Sequence, residues 1–153
     1  MSGERNWLTL TWPQLNTDQL YRIIQLRQEV FVVEQNCVFR DLDGLDSLAT
    51  HMLCLRDGAL LAYQRCLPPG SCYPESSLGR IVVAPEARGE QLGRELVRRG
   101  IDYNRQQWPG QAIRIGAQAH LADFYGSLGF IAASDPYVED GIPHIEMVLS
   151  PRT

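Results

Sequence analysis

Apolar positions along this chain recur at two alternating periods, one helical and one extended. In "QLYRIIQLRQEVFVVEQ", Leu20, Ile23, Ile24, Arg27, Val30 and Phe31 fall at helical spacing after Asp18, which predicts a first helix. In "EQLGRELVRRGIDYNRQQW", Leu92, Leu96, Val97 and Ile101 share one face, with Arg94, Arg98 and Arg105 outside it, which predicts a second, amphipathic helix. "LADFYGSLG" reads as a short helix closed by a C-terminal glycine. The extended runs are a short strand from Trp7 to Thr11, the hairpin "HMLCLRDGALLAYQRCL", then "LGRIVVAP", "QAIRIGAQA", "FIAAS" and "HIEMVLS". "PPGSCYPESS" is a loop by its proline, glycine and serine content. The order is strand, helix, strands, helix, strand, helix, strand, strand. No repeat, low-complexity tract or linker interrupts it, so residues 1–153 are expected to form one domain, a mixed α/β layer fold.

Composition narrows the function. With 153 residues, 44% of them apolar, the chain has an ordinary core and is expected to carry one site. A formal net charge of -4 argues against nucleic acid or an anionic membrane as partner, because both reward clustered positive charge. Residues 1–20 contain Glu4, Arg5, Pro13 and Asp18 and no continuous apolar stretch, so no signal peptide or spanning helix is expected and the chain is placed in the cytoplasm.

Cys37, Cys54, Cys66 and Cys72 show no CxxC spacing, and His51, His120 and His144 no ligand spacing, so no metal is expected. If Asp57-Gly58 is a two-residue turn, strand partners have numbers summing to 115; Cys54 then faces Leu61, Cys66 faces Ala49, and neither thiol meets another. Arg27, inside an apolar stripe, is either paired to a carboxylate or a ligand contact. "RDLDGLD" puts Asp41, Asp43 and Asp46 in one loop. It is not a calcium loop, since Leu45 stands where the third ligand belongs; it reads as a solvated acidic loop, or as one that draws in cationic amines.

The stretch with the most chemistry in it is "VVAPEARGEQLGREL". A helix begins with unpartnered N–H groups and a partial positive charge, so the turn entering it can hold a phosphate. Arg88 adds a charged contact, Gly89 and Gly93 clear space, and the amides from Gly89 through Glu90, Gln91, Leu92 and Gly93 to Arg94 converge on one anion. The alternative is a glycine turn that only ends a strand and lets the helix pack closely. No Walker loop or dinucleotide fingerprint is present.

Together with "AHLADFYGSLGF" after one further strand, this stretch resembles the GNAT superfamily of acyl-CoA-dependent N-acetyltransferases. Val83-Ala84-Pro85, Arg88, Gly89 and Gly93 match its V-x-P strand end and Q/R-x-x-G-x-G/A loop, and "FYGSLGF" matches F-Y-x-x-x-G-F. Gln91 stands where the family has glycine, and Gln118 where relatives commonly carry asparagine. "FVVEQNC", "DLDGLD", "IGAQAHL" and "EDGIPHIEM" extend the likeness to the ElaA-like branch over nearly the whole chain.

The resemblance implies a central, mostly antiparallel mixed sheet, splayed between the fourth and fifth strands and flanked by helices. It implies acetyl-CoA as acyl donor, held by main-chain groups of Ile81, Val82 and Val83, by the turn from Arg88 to Arg94, and by Gln118 and Phe124. Tyr125 is implied as general acid; its alternative is an amphipathic tyrosine capping its helix. An ammonium acceptor must lose a proton, and Glu34, His51, His144 and Glu146 are candidates to take it. Glu34 is singled out as base and substrate contact, with His51 and His144 as further substrate contacts. The bland alternatives are a solvated glutamate at a helix end and histidines bonded to nearby loops.

The implied function is direct acetyl transfer to a primary amine of a small molecule or peptide, in a ternary complex. None of the cysteines occupies a nucleophile position. A non-catalytic CoA-binding or regulatory module is the alternative, kept open by Gln91. Related folds often form dimers, so a homodimer is compatible with the resemblance.

Overall fold

The computed structural model describes residues 4–151. Its strands are β1 (Asn6–Thr11), β2 (Thr50–Arg56), β3 (Ala59–Leu67), β4 (Ser77–Val83), β5 (Ile113–Gln118), β6 (Ile131–Ala132), β7 (Tyr137–Glu139) and β8 (Ile142–Leu149). The helices are α1 (Thr17–Arg27), α2 (Leu92–Gln107) and α3 (Ala122–Gly126). Among the described residues no helix is long and apolar enough to cross a membrane.

Helix α1 starts on a capping box: the Asn16 side chain accepts from the Gln19 amide at 2.7 Å and the Gln19 side chain accepts from the Asn16 amide at 2.9 Å. Asp18 sits inside the first turn and pairs with Arg22 at 3.0 Å. Beyond Arg27 the helix widens into a π segment, Gln28–Glu34, with the Gln35 amide reaching back to the Val30 carbonyl. The widening turns Phe31, Val32 and Gln35 toward the cleft described below.

The β2–β3 hairpin turns at Asp57-Gly58, both with positive φ (52° and 80°), the type I′ geometry expected of Asp-Gly. The predicted register holds for Arg56↔Ala59 and Leu55↔Leu60 and then breaks. A bulge leaves Leu61 as an extra residue, so Cys54 faces Ala62 and Cys66 faces Thr50, in place of Leu61 and Ala49. Both thiols are free and buried, and burial pushes Cys66 up to about 12.

The strands form two four-stranded groups, β1-β2-β3-β4 and β5-β8-β6 with β7 on β8, all antiparallel internally. Among the described residues the groups meet at one parallel bridge, Ser76↔Ile113, beside an Arg114 amide that donates to the Ser76 carbonyl at 2.9 Å. Beyond it β4 and β5 diverge, the opening expected between the fourth and fifth strands. The last part of the chain departs from the sequence reading: "FIAAS" gives only the two-residue β6, and Tyr137–Glu139 forms an unforeseen strand joined to β8 by a second Asp-Gly turn, Asp140-Gly141, with φ of 52° and 76°.

Helix α2 buries Leu92, Leu96, Val97 and Ile101 in one core with Ile113, Ile115, Tyr125 and Phe130. Ile23, Leu26 and Val30 of the first helix and its extension fill the other face with Leu53, Tyr63 and Val82.

The three carboxylates of the acidic loop are ion-paired, where the simpler reading had them free in solvent. Arg27, 1% exposed, donates to Asp41 at 2.8 Å and Asp46 at 2.7 Å; Arg65 engages Asp43 and Asp46; Arg80 lies 2.8 Å from Asp41. Three arginines thus neutralise three aspartates, and the loop has little charge left to attract an amine. Burial alone would raise the Asp46 carboxyl, yet Arg27 and Arg65 bring it below its ordinary value; Asp43 is held down in the same way, chiefly by Arg65. Stability from these two groups is therefore present above the ordinary carboxylate pKa and lost as pH falls below it. Arg27→Met is expected to lower the unfolding free energy by about 3 kcal/mol, measured in urea, by stranding buried carboxylates. The variant should also lose less of its stability between pH 5 and pH 3 than the parent does.

Candidate active site

The chain leaves β4 at Val83, makes a short turn at Pro85–Ala87 and enters α2 through Arg88, Gly89, Glu90 and Gln91. Gly89 has φ of 88° and Gln91, at the N-cap, φ of 59°, so the residue standing where relatives have glycine adopts the conformation glycine would. The Gln91 side chain is exposed and does not cap the helix. The first-turn amides of α2 therefore face an open cavity of about 240 Å³, lined by Val83, Arg88, Gly89, Gln91, Leu92, Gly93, Arg94 and Phe124. Arg94 stacks 5.8 Å over the Phe124 ring and donates to the Ser127 hydroxyl at 2.6 Å. Glu90 points away, held by Arg5 at 2.8 Å and Arg56 at 3.1 Å, so only its main chain belongs to the turn.

A larger cleft of about 410 Å³ occupies the fork between β4 and β5. Ile81 of β4, Ile115 to Gln118 of β5, Phe31 and Val32 of the π segment with Gln35 just after it, Tyr125 of α3 and His144 of β8 line it. Tyr63↔Val82 and Arg65↔Gly79 leave Arg80 and Ile81 opposite the single Gln64, a bulge in which Arg80 takes φ of 50°. Past the bridge at Ser76, then, β4 has β3 on one side and the cleft on the other. Val82 turns its side chain into the second core cluster and pairs with Tyr63 of β3. The Tyr125 ring is packed edgewise against Phe124 and Phe130, and burial pushes its phenol up to about 12. Gln118 donates to the Gln35 side chain at 3.4 Å across the cleft. Overhead, the Cys37 thiol donates to the Asp140 carbonyl at 3.1 Å, tying the segment after the π turn to the β7–β8 hairpin.

The predicted residues divide. Those of the phosphate turn converge on the smaller cavity, and Ile81, Gln118, Tyr125 and His144 on the larger. His51 does not join them: it is fully buried, with Nε2 2.8 Å from the Asp46 carbonyl and Nδ1 2.6 Å from the Tyr63 hydroxyl. A carbonyl only accepts, so Nε2 carries the proton and Nδ1 accepts from Tyr63, while burial lowers the imidazole's pKa. That placement corrects the expectation of His51 as a substrate contact. Glu34 also moves. Its two oxygens meet the two terminal nitrogens of Arg88 at 2.7 Å each, and it lines neither cavity. The Arg88 hydrogen bonds hold its carboxyl below the ordinary range, which weakens it as a proton acceptor and argues against the expected base and substrate role. Glu146 is tied to Arg114 at 2.9 Å.

Sequence reasoning missed Gln35, Tyr73 and Glu139, which also line the larger cleft. Tyr73 and Tyr137 converge over Gly116, where an added Cβ would meet their hydroxyls at 3.0 and 3.2 Å. The Asp140-Gly141 pair, a strong hairpin signal, could have located β7 and with it Glu139.

A forked sheet, an uncapped helix beside it and a buried tyrosine at the fork define an acyl-transfer scaffold. The chain belongs to the GNAT acetyltransferase family: the family's Acetyltransferase (GNAT) domain model matches residues 32–151. Protein ElaA of Escherichia coli is 41% identical over 143 residues, 92% of this chain and 94% of that protein, and its crystal structure superposes with a TM-score of 0.90 over 96% of this chain and 100% of that chain. The crystal structure of an acyl-CoA N-acyltransferase from Pseudomonas aeruginosa is similar at a TM-score of 0.92 and 40% identity, over 96% of this chain and all of that one. An aminoglycoside 6'-N-acetyltransferase complexed with coenzyme A shares the fold at 14% identity and a TM-score of 0.70, over 95% and 99% of the two chains. The likeness to ElaA bears out the branch read from "FVVEQNC" through "EDGIPHIEM", and the chain is an enzyme of acyl transfer.

Left-handed backbone costs a residue with a side chain about 1–2 kcal/mol, and glycine's extra entropy about 0.5–1 kcal/mol. Gln91→Gly is therefore expected to raise the urea midpoint while acetyl-CoA affinity, by calorimetry, stays unchanged. For Glu34→Gln the expected result is an altered acetyl-CoA affinity, through Arg88, with the acid limb of the pH–rate profile left in place; loss of that limb would restore Glu34 as base.

Proposed function

We propose that this enzyme moves an acetyl group from acetyl-CoA directly to a primary amine of a small molecule or peptide, in a ternary complex. The observation that carries the reading is the adjacency of the two cavities along shared elements. Val83 and Phe124 line the smaller, Ile81 and Tyr125 the larger. Such a path suits a long donor, with its pyrophosphate at the start of α2, its pantetheine along β4 and its thioester in the fork.

Each part then has a role. The amides of α2's first turn and Arg88 receive pyrophosphate. Main-chain groups of Ile81, Val82 and Val83 receive the pantetheine and the acetyl carbonyl, and a donor facing that oxygen as it gains negative charge is worth about 3 kcal/mol. As the C–N bond forms and the C–S bond breaks, sulfur leaves as thiolate. At about 12 the Tyr125 phenol stays protonated near neutrality and donates a hydrogen bond to that sulfur. Full proton transfer would be uphill toward an ordinary thiol of pKa about 8.5, so Tyr125 stabilises the thiolate by a shared proton until the product protonates.

A panel of primary amines, read by release of free thiol, tests the reading. With an accepted amine, Tyr125→Phe should lower kcat by about 100-fold at unchanged acetyl-CoA affinity. An undiminished kcat would remove Tyr125 from the chemistry.

A further inference from the structure

Of the four side chains that the sequence offered as acceptors for the proton of an arriving ammonium, three are engaged elsewhere: Glu34 with Arg88, Glu146 with Arg114, and His51 with Asp46 and Tyr63. His144 differs. It lines the larger cleft, and its Nδ1 lies 2.7 Å from the Ile142 carbonyl. A carbonyl oxygen only accepts, so the proton is on Nδ1 and Nε2 presents a bare lone pair in the neutral ring. Stacking on Tyr137, with centroids 6.0 Å apart, fixes the plane of the ring.

Glu139, on the same strand as Tyr137, places Oε2 3.8 Å from that Nε2. This is longer than a hydrogen bond, so two acceptors stand side by side with no proton of their own between them. One donor with several hydrogens and a positive charge satisfies both: an ammonium nitrogen about 2.9 Å from each atom spans the gap.

We propose that the acceptor's ammonium is received between Glu139 and His144, and that Nε2 of His144 takes its proton. The proposal rests on the acetyl-transfer reading above and names the acceptor end of that site. Glu139, with its side chain 59% exposed, meets the cation at the mouth. One proton passes from R–NH3+ to Nε2, leaving R–NH2 and an imidazolium that releases its proton to solvent. The nitrogen lone pair then forms the C–N bond, the C–S bond breaks, and the second proton lost by nitrogen ends on the departing sulfur. The groups around His144 are Glu139 and Tyr137 on β7, uncharged Gln118 directly opposite on β5, and Tyr73 and Tyr125 on the cleft wall. Arg65 and Arg80, in the same cleft, are matched by Asp41, Asp43 and Asp46, and Arg40 and Asp140, which also line it, add one charge of each sign.

Nitrogen-15 NMR of histidine-labelled protein, titrated with ethylammonium chloride against potassium chloride, tests this without any acyl donor. The expected spectrum has His144 protonated on Nδ1 alone; ethylammonium shifts its Nε2 resonance, leaves His51 unmoved, and has no effect in Glu139→Gln. A proton on Nε2, or an equal response in Glu139→Gln, would overturn the proposal. With an accepted amine, Glu139→Gln should raise the amine KM at unchanged kcat, and its exposed position spares the core. His144→Gln should lower kcat about 100-fold and remove the acid limb of the pH profile, with acetyl-CoA binding intact. Parental kinetics in His144→Gln would likewise overturn it. Failure to bind acetyl-CoA would instead sink the acetyl-transfer reading, so the two failures are distinguishable.

Discussion

The single bridge between Ser76 and Ile113 is the constraint on which the molecule depends. Two strands that pair at one point and then part would leave backbone donors and acceptors unsatisfied along both edges, a cost that folds avoid unless something fills the gap. Here the vertex is fixed from two sides. The buried Asn104 side chain of α2 donates to the Ser76 hydroxyl and the Ser77 carbonyl, each at 3.2 Å, and Arg114 of β5 holds Glu75 at 3.0 Å. The helix whose N-terminus faces the smaller cavity thus also anchors the fork, so phosphate turn and cleft are held in one frame.

The walls of the fork are stiffened by charge as much as by apolar packing. Arg27, Arg65 and Arg80 gather the loop of Asp41, Asp43 and Asp46 onto the sheet, and His51 ties that loop to Tyr63 through its two ring nitrogens. Because this network cancels its own charge, selection of a cationic acceptor falls to groups outside it. The π segment plays a complementary part: by widening the helix after Arg27 it aims Phe31, Val32 and Gln35 inward and releases Glu34 outward to Arg88.

What the sequence made legible follows the range of the physics involved. Helix α2 and its glycine turn were readable because 3.6-residue periodicity and helix-end chemistry are local, and the two family blocks flank one strand. The paired reading of Arg27 was also correct. The aspartate network was not legible as such, since its partners lie 14 to 39 residues apart and a run of acidic residues looks solvated until the fold brings arginines to it. The bulge at Leu61 of β3 shifts register by one residue without a compositional mark, which misplaced the partners of Cys54 and Cys66. His51 and His144 both sit in strands, and only the fold separates a ring with both nitrogens engaged from one with a nitrogen free. Glu34 ends a π turn that no periodicity announces.

Calorimetric titration of the protein with acetyl-CoA, with dephospho-CoA as the comparison ligand, tests the central claim most directly. Saturable one-to-one binding of acetyl-CoA is the result expected if the forked sheet and the uncapped start of α2 form one donor site. No binding at millimolar ligand would contradict it and return the turn at Arg88 to a simple end of a strand.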